Sequence, residues 1–318
     1  MALSTIQNNS FADTAVHGYR NLVINGAMQV AQRGTSFTNP VQNTYLLDRW
    51  FSGSNLINLT VTQQSSVTVN GTISKTMRFD FTGSSSFDFY QAFEDYEYLS
   101  GKTVTLSFWY RTNVSGVVIR QYATTTHDTL TDSSGSWTYH TITFTFGTLQ
   151  SNPRSANGAT IGFWDNSTGN IVSGSYFEIT QVQLELGSEA TPFEHRPYGD
   201  ELQRCQRYYY QLGPYTNQYE VIFMPTWATS TTTQQLAFNF PVKMRAAPTI
   251  THNGVSEFRV NDNLQHDEVC NSILFSQIRP ERSMATFGKA SANLNVGYSG
   301  YINTNNYTSA TIYIDAEL

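Results

Sequence analysis

The chain contains few charged residues, few cysteines and no long apolar run, and each shortage excludes a class of protein. Charged residues make up 13% of the 318 residues, and the net charge of −6 includes no block of like charges, so the basic patch of a nucleic-acid-binding protein is missing. No apolar run reaches the ~20 residues that cross a bilayer. We therefore predict neither a nucleic-acid partner nor membrane insertion.

The cysteines and the N-terminus both indicate the compartment in which the chain is made. Cys205 and Cys270 are too few for a disulfide framework, and we expect both to be buried thiols. Residues 1–19, MALSTIQNNSFADTAVHGY, have neither the basic start nor the apolar stretch of a secretory signal. Together these features predict synthesis and assembly in a cytoplasm. A short polar arm of this kind is usually disordered until it binds a partner, and the alternative is that it lies along its own domain.

Aromatic residues are plentiful, at 14% of the chain. Because charge is scarce, the surface must consist largely of Ser, Thr, Asn, Gln and Gly. Hydroxyls, amides and aromatic faces suit contact with a neutral polymer such as a glycan. The alternative is that large β-sandwich proteins in general share this composition.

Short runs of alternating apolar and polar residues recur along the chain, separated by clusters of Gly, Ser, Asn and Asp. Examples are TMRFDFTG, TVTLSFWYRT, WTYHTITFTF and YFEITQVQLEL. Period-two alternation gives each strand one buried and one exposed face, which is typical of antiparallel sheets packed as a sandwich. The pattern predicts an all-β fold, with a jelly-roll β-sandwich first and a second, smaller C-terminal β-sandwich after Gly213. In the first sandwich we assign Trp109 and Trp164 to core packing.

One segment between the two sandwiches has a helical pattern. Asp200 is placed as the N-cap, with Gln203 at the capping-box spacing, and Gly213 with the following proline ends the helix. The predicted apolar stripe consists of Leu202, Cys205, Tyr209 and Leu212. We interpret this short linker helix as a clasp between the two β-domains. The alternatives are that it covers the open end of the first sandwich, or that three copies meet around an axis.

Three ordered sequence motifs carry a resemblance to a known family. They are RNLVINGAMQVAQRGTSF with YLLDRW, then FYQAFEDYEYLSGKTVTLSFWYR, and finally FEITQVQLELGSEATPFEHRP. This order resembles the carbohydrate-binding-module-like jelly-roll domains of bacteriophage tail fibres and other virion proteins. The later segments CQRYYYQ, FPVKMRAAPTIT and IYIDAEL are similar to the C-terminal parts of such proteins.

The resemblance implies a domain plan. We expect a virion-anchoring arm at residues 1–19, a jelly-roll module at 20–197, a linker helix at 198–213 and a C-terminal β-domain at 214–318. The family is generally trimeric, so we expect a homotrimer formed through the C-terminal domain, located in a phage tail or appendage and made in the host cytoplasm. The arm would bind other virion proteins.

The function implied by the resemblance is that of a phage structural protein, a tail fibre or fibre-like appendage, that contacts a host-surface glycan. The first alternative is a head or neck decoration protein without host binding, and the second is a polysaccharide depolymerase. Standard catalytic motifs are missing from the sequence, and we predict that the chain is not an enzyme. The one patch that mimics a glycosidase site is acidic and aromatic, and its carboxylates are Asp88, Glu94, Asp95 and Glu97.

Metal binding has little support in the sequence, and we predict no required cofactor. The histidines show no metal-ligand spacing, and the short run of His266, Asp267, Glu268 and Cys270 would need a loop to converge on one ion. Modules of the resembled type often hold a structural calcium near the first and last strands. Asn25 and Glu185 are the oxygen pair that fits this, although calcium takes about six to eight oxygen ligands.

For the glycan contact itself we single out aromatic residues of the C-terminal domain that lie among Asn, Ser, Thr and Gly. These residues are Trp227, Tyr298, Tyr301 and Tyr307. An aromatic face can stack on a sugar while neighbouring amides and hydroxyls bond its hydroxyl groups. The alternative is that these rings pack the subunits together.

Overall fold

The computed structural model describes residues 20–121, 125–152, 158–165, 171–215, 217, 219–262, 264, 266–305 and 309–318. The predicted arm, residues 1–19, lies outside the described residues. The chain forms two compact units, which we call unit 1, ending at Leu202, and unit 2, covering Gln203–Glu317. Within the described residues, no helix is both long enough and apolar enough to span a membrane.

Unit 1 is built from antiparallel strands. They are β1 (Ser36–Thr38), β2 (Trp50–Ser52), β3 (Leu59–Val69), β4 (Thr72–Phe81), β5 (Asp88–Ala92), β6 (Thr103–Thr112), β7 (Val117–Gln121), β8 (Thr125–Leu130), β9 (Thr138–Thr145), β10 (Thr160–Asp165) and β11 (Tyr176–Leu186). A short helix, α1 (Tyr96–Leu99), precedes β6. The strands form a six-stranded sheet in the order β1-β3-β4-β11-β6-β9 and a five-stranded sheet in the order β2-β5-β10-β7-β8.

The two sheets of unit 1 pack face to face over a core rich in phenylalanine. Phe79 on β4 stacks on Phe89 of β5 with ring centroids 4.7 Å apart, and Phe89 stacks on Phe163 of β10 at 5.1 Å. All three rings are fully buried. The alternation of each strand places these rings on the inner face, so the predicted jelly-roll sandwich is confirmed.

Unit 2 is a second, smaller β-sandwich. Its strands are β12 (Tyr209–Leu212), β13 (Val221–Ala228), β14 (Thr233–Asn239), β15 (Thr249–His252), β16 (Phe258–Asp262), β17 (Glu268–Val269), β18 (Ser272–Ser276), β19 (Arg282–Gly288), β20 (Ser299–Thr304) and β21 (Ile312–Asp315), with a 3-10 turn at Val255–Glu257. They form a three-stranded sheet, β12-β21-β15, and a seven-stranded sheet, β17-β16-β20-β13-β14-β19-β18. Apolar residues from both sheets, among them Ile312, Ile314, Phe258 and Phe287, share one core.

The helix between the sandwiches is shorter than predicted. It is α2, Tyr198–Gln206, and the backbone N–H groups of Asp200 and Glu201 both donate to the Pro197 carbonyl at 3.1 Å. Asp200 therefore lies inside the first turn and is not the N-cap. The predicted helical stripe fails because Tyr209 and Leu212 belong to β12, which pairs with β21. The run YYQL contains two tyrosines, which favour strands. Its backbone pairs with the edge of β21, and this pairing is favoured over continuing the helix.

Candidate functional site

The outer face of the six-stranded sheet in unit 1 carries a pair of partly exposed aromatic rings. Trp109 on β6 lies directly opposite Tyr139 on the edge strand β9, with ring centroids 5.4 Å apart and planes inclined by 47°. Tyr139 is 44% exposed. The residues on either side of Trp109 in β6, Phe108 and Tyr110, point inward and are buried.

The assignment of Trp109 and Trp164 to the core was therefore wrong. Both rings are only partly buried, and both have the outward parity of their strands. Trp164 lies on the outer face of the five-stranded sheet, where the guanidinium of Arg120 stacks over its ring at 4.2 Å. Trp109 remains available as a surface for ligand contact.

The segment that follows β11 folds back across this outer face and adds two more rings to it. The Gln183 side-chain amide donates to the Thr191 and Pro192 carbonyls at 3.1 and 3.3 Å, and its carbonyl accepts from the Glu194 N–H at 2.8 Å. These bonds explain why Gln183, on the outer side of β11, is fully buried. The segment thereby holds Phe193 and His195 edge to face, with centroids 5.0 Å apart.

A β-bulge in β11 lies at the centre of the same surface. The pairing register of β11 with β6 shifts between Thr180 and Gln183, and Gln181 adopts φ +52°, in the left-handed region. Bulges of this kind redirect a side chain and are frequent beside functional sites. Here the Gln181 amide donates to the Ser74 hydroxyl on β4 at 3.0 Å.

These features enclose an open groove made of two adjoining depressions that share Gln181 and His195. The first depression has a volume of about 510 Å³ and the second about 340 Å³. The first is lined by Val69, Asn70, Thr72, Ser107, Trp109, Tyr139, Gln181, Thr191, Pro192, Phe193 and His195. The second is lined by Ala27, Gln29, Ser65, Ser66, Ile73, Ser74, Lys75, Gln181, His195 and Tyr198. None of the described lining residues is a carboxylate.

The chemistry of this lining combines flat apolar surfaces with short neutral hydrogen-bonding groups. Aromatic faces bury apolar area, whereas hydroxyls and amides both donate and accept hydrogen bonds. A concave, mostly neutral surface of this composition matches a ligand that alternates apolar faces with many hydroxyl groups. Its described lining holds no pair of carboxylates of the kind that glycosidases use as acid and as base or nucleophile.

Beside the groove, an ion-pair network fixes the outer face. Glu178 on β11 is fully buried and accepts from Arg78 at 3.0 Å and from Arg111 at 2.8 Å. The Arg78 guanidinium lies 4.2 Å from the centre of the Tyr176 ring, and Arg111 lies 5.0 Å from that of Trp137. The network therefore spans β4, β11 and β6, the strands that carry the groove.

The acidic and aromatic patch predicted from the sequence does not form one cluster. Asp88 is the first residue of β5 and is buried, whereas Glu94, Asp95 and Glu97 lie beyond the other end of that strand around α1. Four residues of strand at ~3.3 Å each place Asp88 about 13 Å from Ala92, which exceeds the carboxylate separation of glycosidases. Burial raises the pKa of Asp88, opposed by a hydrogen bond from Ser54 and by the charge of Arg120.

The two residues named for calcium have separate partners. The Asn25 side chain bonds the Val30 N–H and carbonyl, both at 2.9 Å, and the Asp48 carbonyl at 3.0 Å. Glu185 accepts instead from Arg20 at 3.1 Å and from the Thr191 N–H at 3.0 Å. Across the described part of the chain, no group of three or more His, Cys, Asp or Glu side chains is placed to hold a metal. The expectation of no required cofactor, with this pair as the calcium alternative, stays a prediction.

In unit 2 the structure brings together two of the four aromatic residues named for glycan contact. Trp227 on β13 is 41% exposed and lies opposite Ser299, whose neighbour Tyr298 is 58% exposed. Tyr301 lies further along β20, opposite Asn261, and is partly buried. Tyr307 lies outside the described residues.

Sequence reasoning missed the groove residues Trp109, Tyr139, Phe193 and Gln181, yet part of the signal was present. In TVTLSFWYRT the apolar residues Leu106, Phe108 and Tyr110 share one parity, so Trp109 has the opposite, outward one. In YFEITQVQLEL the apolar parity changes between Ile179 and Val182, which marks the bulge. Phe193 had no such signal.

The sequence matches no protein-family model, and no curated protein matches it. Among solved structures, the enzymatically active domain of tailspike protein 4 from bacteriophage CBA120 is similar, with 17% identity and a TM-score of 0.32 over 53% of this chain and 22% of that chain. TmCBM61 in complex with beta-1,4-galactotriose has 13% identity and a TM-score of 0.32 over 53% of this chain and all of that one. The CBM22-1-GH10 modules of Clostridium thermocellum xylanase 10B, complexed with xylohexaose, have 16% identity and a TM-score of 0.30, over 51% and 30% of the respective chains.

Proposed function

We propose that the chain binds a glycan through the groove of unit 1 and does so as an appendage of a bacteriophage virion that contacts the host surface. The observation that carries the glycan proposal is the partly exposed Trp109–Tyr139 pair, which lines a depression together with neutral hydrogen-bonding side chains such as Asn70, Ser107 and Gln181. The virion assignment rests on the ordered sequence motifs described above.

A sugar ring fits this surface for a physical reason. Its apolar face can stack on Trp109 or Phe193, which removes hydrocarbon surface from water, while Asn70, Ser107 and Gln181 are placed to bond its hydroxyls. The bulge contributes because it fixes the Gln181 amide through Ser74 rather than leaving it to rotate freely. Each such contact is weak, so several copies on one particle would be required for strong attachment.

Binding is favoured over cleavage by the placement of the acidic residues. A depolymerase that hydrolyses glycosidic bonds typically uses two carboxylates about 5–9.5 Å apart across a sugar-sized cleft. The described lining of the groove contains none, and Asp88 is separated by the length of β5 from Glu94. A decoration protein without host binding is the remaining alternative, and it predicts no glycan affinity at all.

The test compares two partly exposed tryptophans on sheet faces of different units. Trp109→Ala and Trp227→Ala are each measured for binding to a panel of bacterial-surface polysaccharides by affinity electrophoresis, with circular dichroism to check folding. We expect Trp109→Ala to weaken binding about fivefold to thirtyfold, because stacking of one ring contributes on the order of 1–2 kcal/mol. Loss of binding in Trp227→Ala alone would refute the groove and support the site in unit 2.

We further propose that unit 2 provides the contact of a homotrimer and that residues 1–19 attach it to other virion proteins. The support is the exposed apolar surface of unit 2, which includes Val221, Met224, Leu274, Val296 and the pair Trp227 and Tyr298. A trimer contact would remove such apolar side chains from water. Light scattering should give three times the 35.7 kDa mass of one chain, and a monomer at micromolar concentration would contradict the trimer.

A further inference from the structure

The second depression of the groove contains a lysine for which the described part of the chain provides no carboxylate partner. Lys75 on β4 is partly buried, and its ammonium donates to the Gln29 carbonyl at 3.3 Å. Among the described residues, no carboxylate lies within ion-pair distance of it. An ammonium has three donors, so two remain for a ligand.

Most neighbouring basic residues of unit 1 are paired. Arg20 contacts Glu185, Arg78 and Arg111 contact Glu178, and Arg196 contacts Glu201. In contrast, Lys75 lies among Ser66, Ser74 and the amide of Gln181. A partly desolvated cation without an opposite charge is best stabilised by an anion that enters from solvent.

We propose that the glycan bound by this groove is acidic and that Lys75 binds a carboxylate of one of its sugars. This inference rests on the proposed function, since it specifies the ligand class of the same site. Both depressions are lined by Gln181 and His195, so an oligosaccharide stacked on Trp109 in the first would reach Lys75 in the second by running past these two residues. The single lysine matches a carboxylate, which carries one negative charge, as in a uronic acid.

The surroundings of Lys75 in the groove lack negative charge. His195 lines both depressions and is exposed, and its ring contacts Phe193. With Lys75 present and no carboxylate in the described lining, the groove differs in charge from the chain as a whole, whose net charge is −6. An acidic polysaccharide is repelled by most of a negative surface and attracted at this groove, which favours a defined binding position.

The experiment uses acidic polysaccharides beside the same polymers made neutral. The full chain is tested by affinity electrophoresis against polygalacturonate, alginate and hyaluronan, each also as its methyl-esterified or carboxyl-reduced form. The variants are Lys75→Gln, Lys75→Arg and, as a matched control outside the groove, Lys102→Gln, whose ammonium lies over the Tyr98 ring at 5.4 Å.

We expect the wild type to bind at least one acidic polymer roughly threefold to tenfold more tightly than its neutral form, the range for a charge-assisted bond partly open to solvent. Lys75→Gln should remove this preference, while Lys75→Arg and Lys102→Gln should retain it. Equal or stronger binding of the neutral forms, or a preference that survives Lys75→Gln, overturns the acidic ligand and leaves the proposed function standing. No binding of any form, acidic or neutral, overturns both.

Discussion

The ion-pair network on the outer face of unit 1 allows a stability prediction with a matched control. Glu178 is fully buried and contacts two guanidinium groups, with Arg111 bonding through both Nε and Nη2 at 2.8 Å and Arg78 through Nη1 at 3.0 Å. The Thr76 hydroxyl donates to its other oxygen. Replacing Glu178 by Gln preserves the shape of the side chain but removes its charge. Because both carboxylate oxygens accept hydrogen bonds from Arg or Thr donors, the new amide N–H₂ group would face a donor and not an acceptor.

The magnitude follows from the number of charged bonds and from their screening. Hydrogen bonds to a charged group are worth about 1.5–3 kcal/mol each when buried, and loss of one member of a buried pair costs about 3–5 kcal/mol. The side chains of Arg78 and Arg111 are 24% and 30% exposed, so water compensates part of the loss. We therefore expect Glu178→Gln to lower the free energy of unfolding by roughly 2–4 kcal/mol.

The control is Asp80→Asn in the same network. Asp80 is 44% exposed, and among the described residues its ion-pair partner is Arg78, at 2.8 Å, so its removal should cost at most about 1 kcal/mol. Urea unfolding followed by tryptophan fluorescence measures both variants. With a slope of ~2 kcal/mol per molar urea, Glu178→Gln should move the midpoint by about 1–2 M. A shift no larger than that of Asp80→Asn would show that the buried carboxylate does not hold the outer face together.

Three further outcomes are expected. Burial lowers the pKa of His127 to about 4, so between pH 6.5 and 4 the unfolded chain binds more protons than the folded chain. The free energy of unfolding should therefore fall as the pH drops through that window. The urea midpoint of His127→Gln should depend less on pH there. Gly162→Ala would place a Cβ 2.0 Å from the buried Tyr90 ring and should lower the thermal midpoint of unfolding by several degrees, whereas Gly147→Ala, with open space around it, should not. Burial raises the pKa of the Cys270 thiol to about 12, so it should react with a thiol reagent at pH 8 only after denaturation, and rapid labelling of the native protein would contradict its burial.

The strands were predictable because burial on one face imposes a period of two on residues such as Met77, Phe79 and Phe81. The end of α2 was not predictable from local sequence, because Tyr209 and Leu212 fit a helical spacing and are also compatible with a strand. Pairing with β21, about a hundred residues later in the chain, makes this segment a strand. Local patterns contain no information about such a partner.

The groove likewise contains residues whose position the local sequence predicts and residues whose position depends on distant contacts. Trp109 alternates with the buried Phe108 and Tyr110 in its own strand, so its outward orientation could be derived from the sequence. Phe193 and His195 lie in a segment without periodicity, and their position depends on bonds between Gln183 and residues 191–194. Contacts of that kind form only in the assembled fold. The sequence analysis selected Trp227 instead, because its polar neighbours are visible in the local sequence.

The position of β11 determines when unit 1 can be completed during synthesis. This strand lies between β4 and β6, yet it is the last of the eleven to leave the ribosome. Until residues 176–186 emerge, β4 and β6 each present an unpaired edge in the middle of the future sheet, so the nascent chain needs protection from pairing with other chains. The bulge at Gln181 and the groove around it form in that same final step. A fragment that ends before β11 therefore lacks both the bulge and the groove, however many strands it already contains.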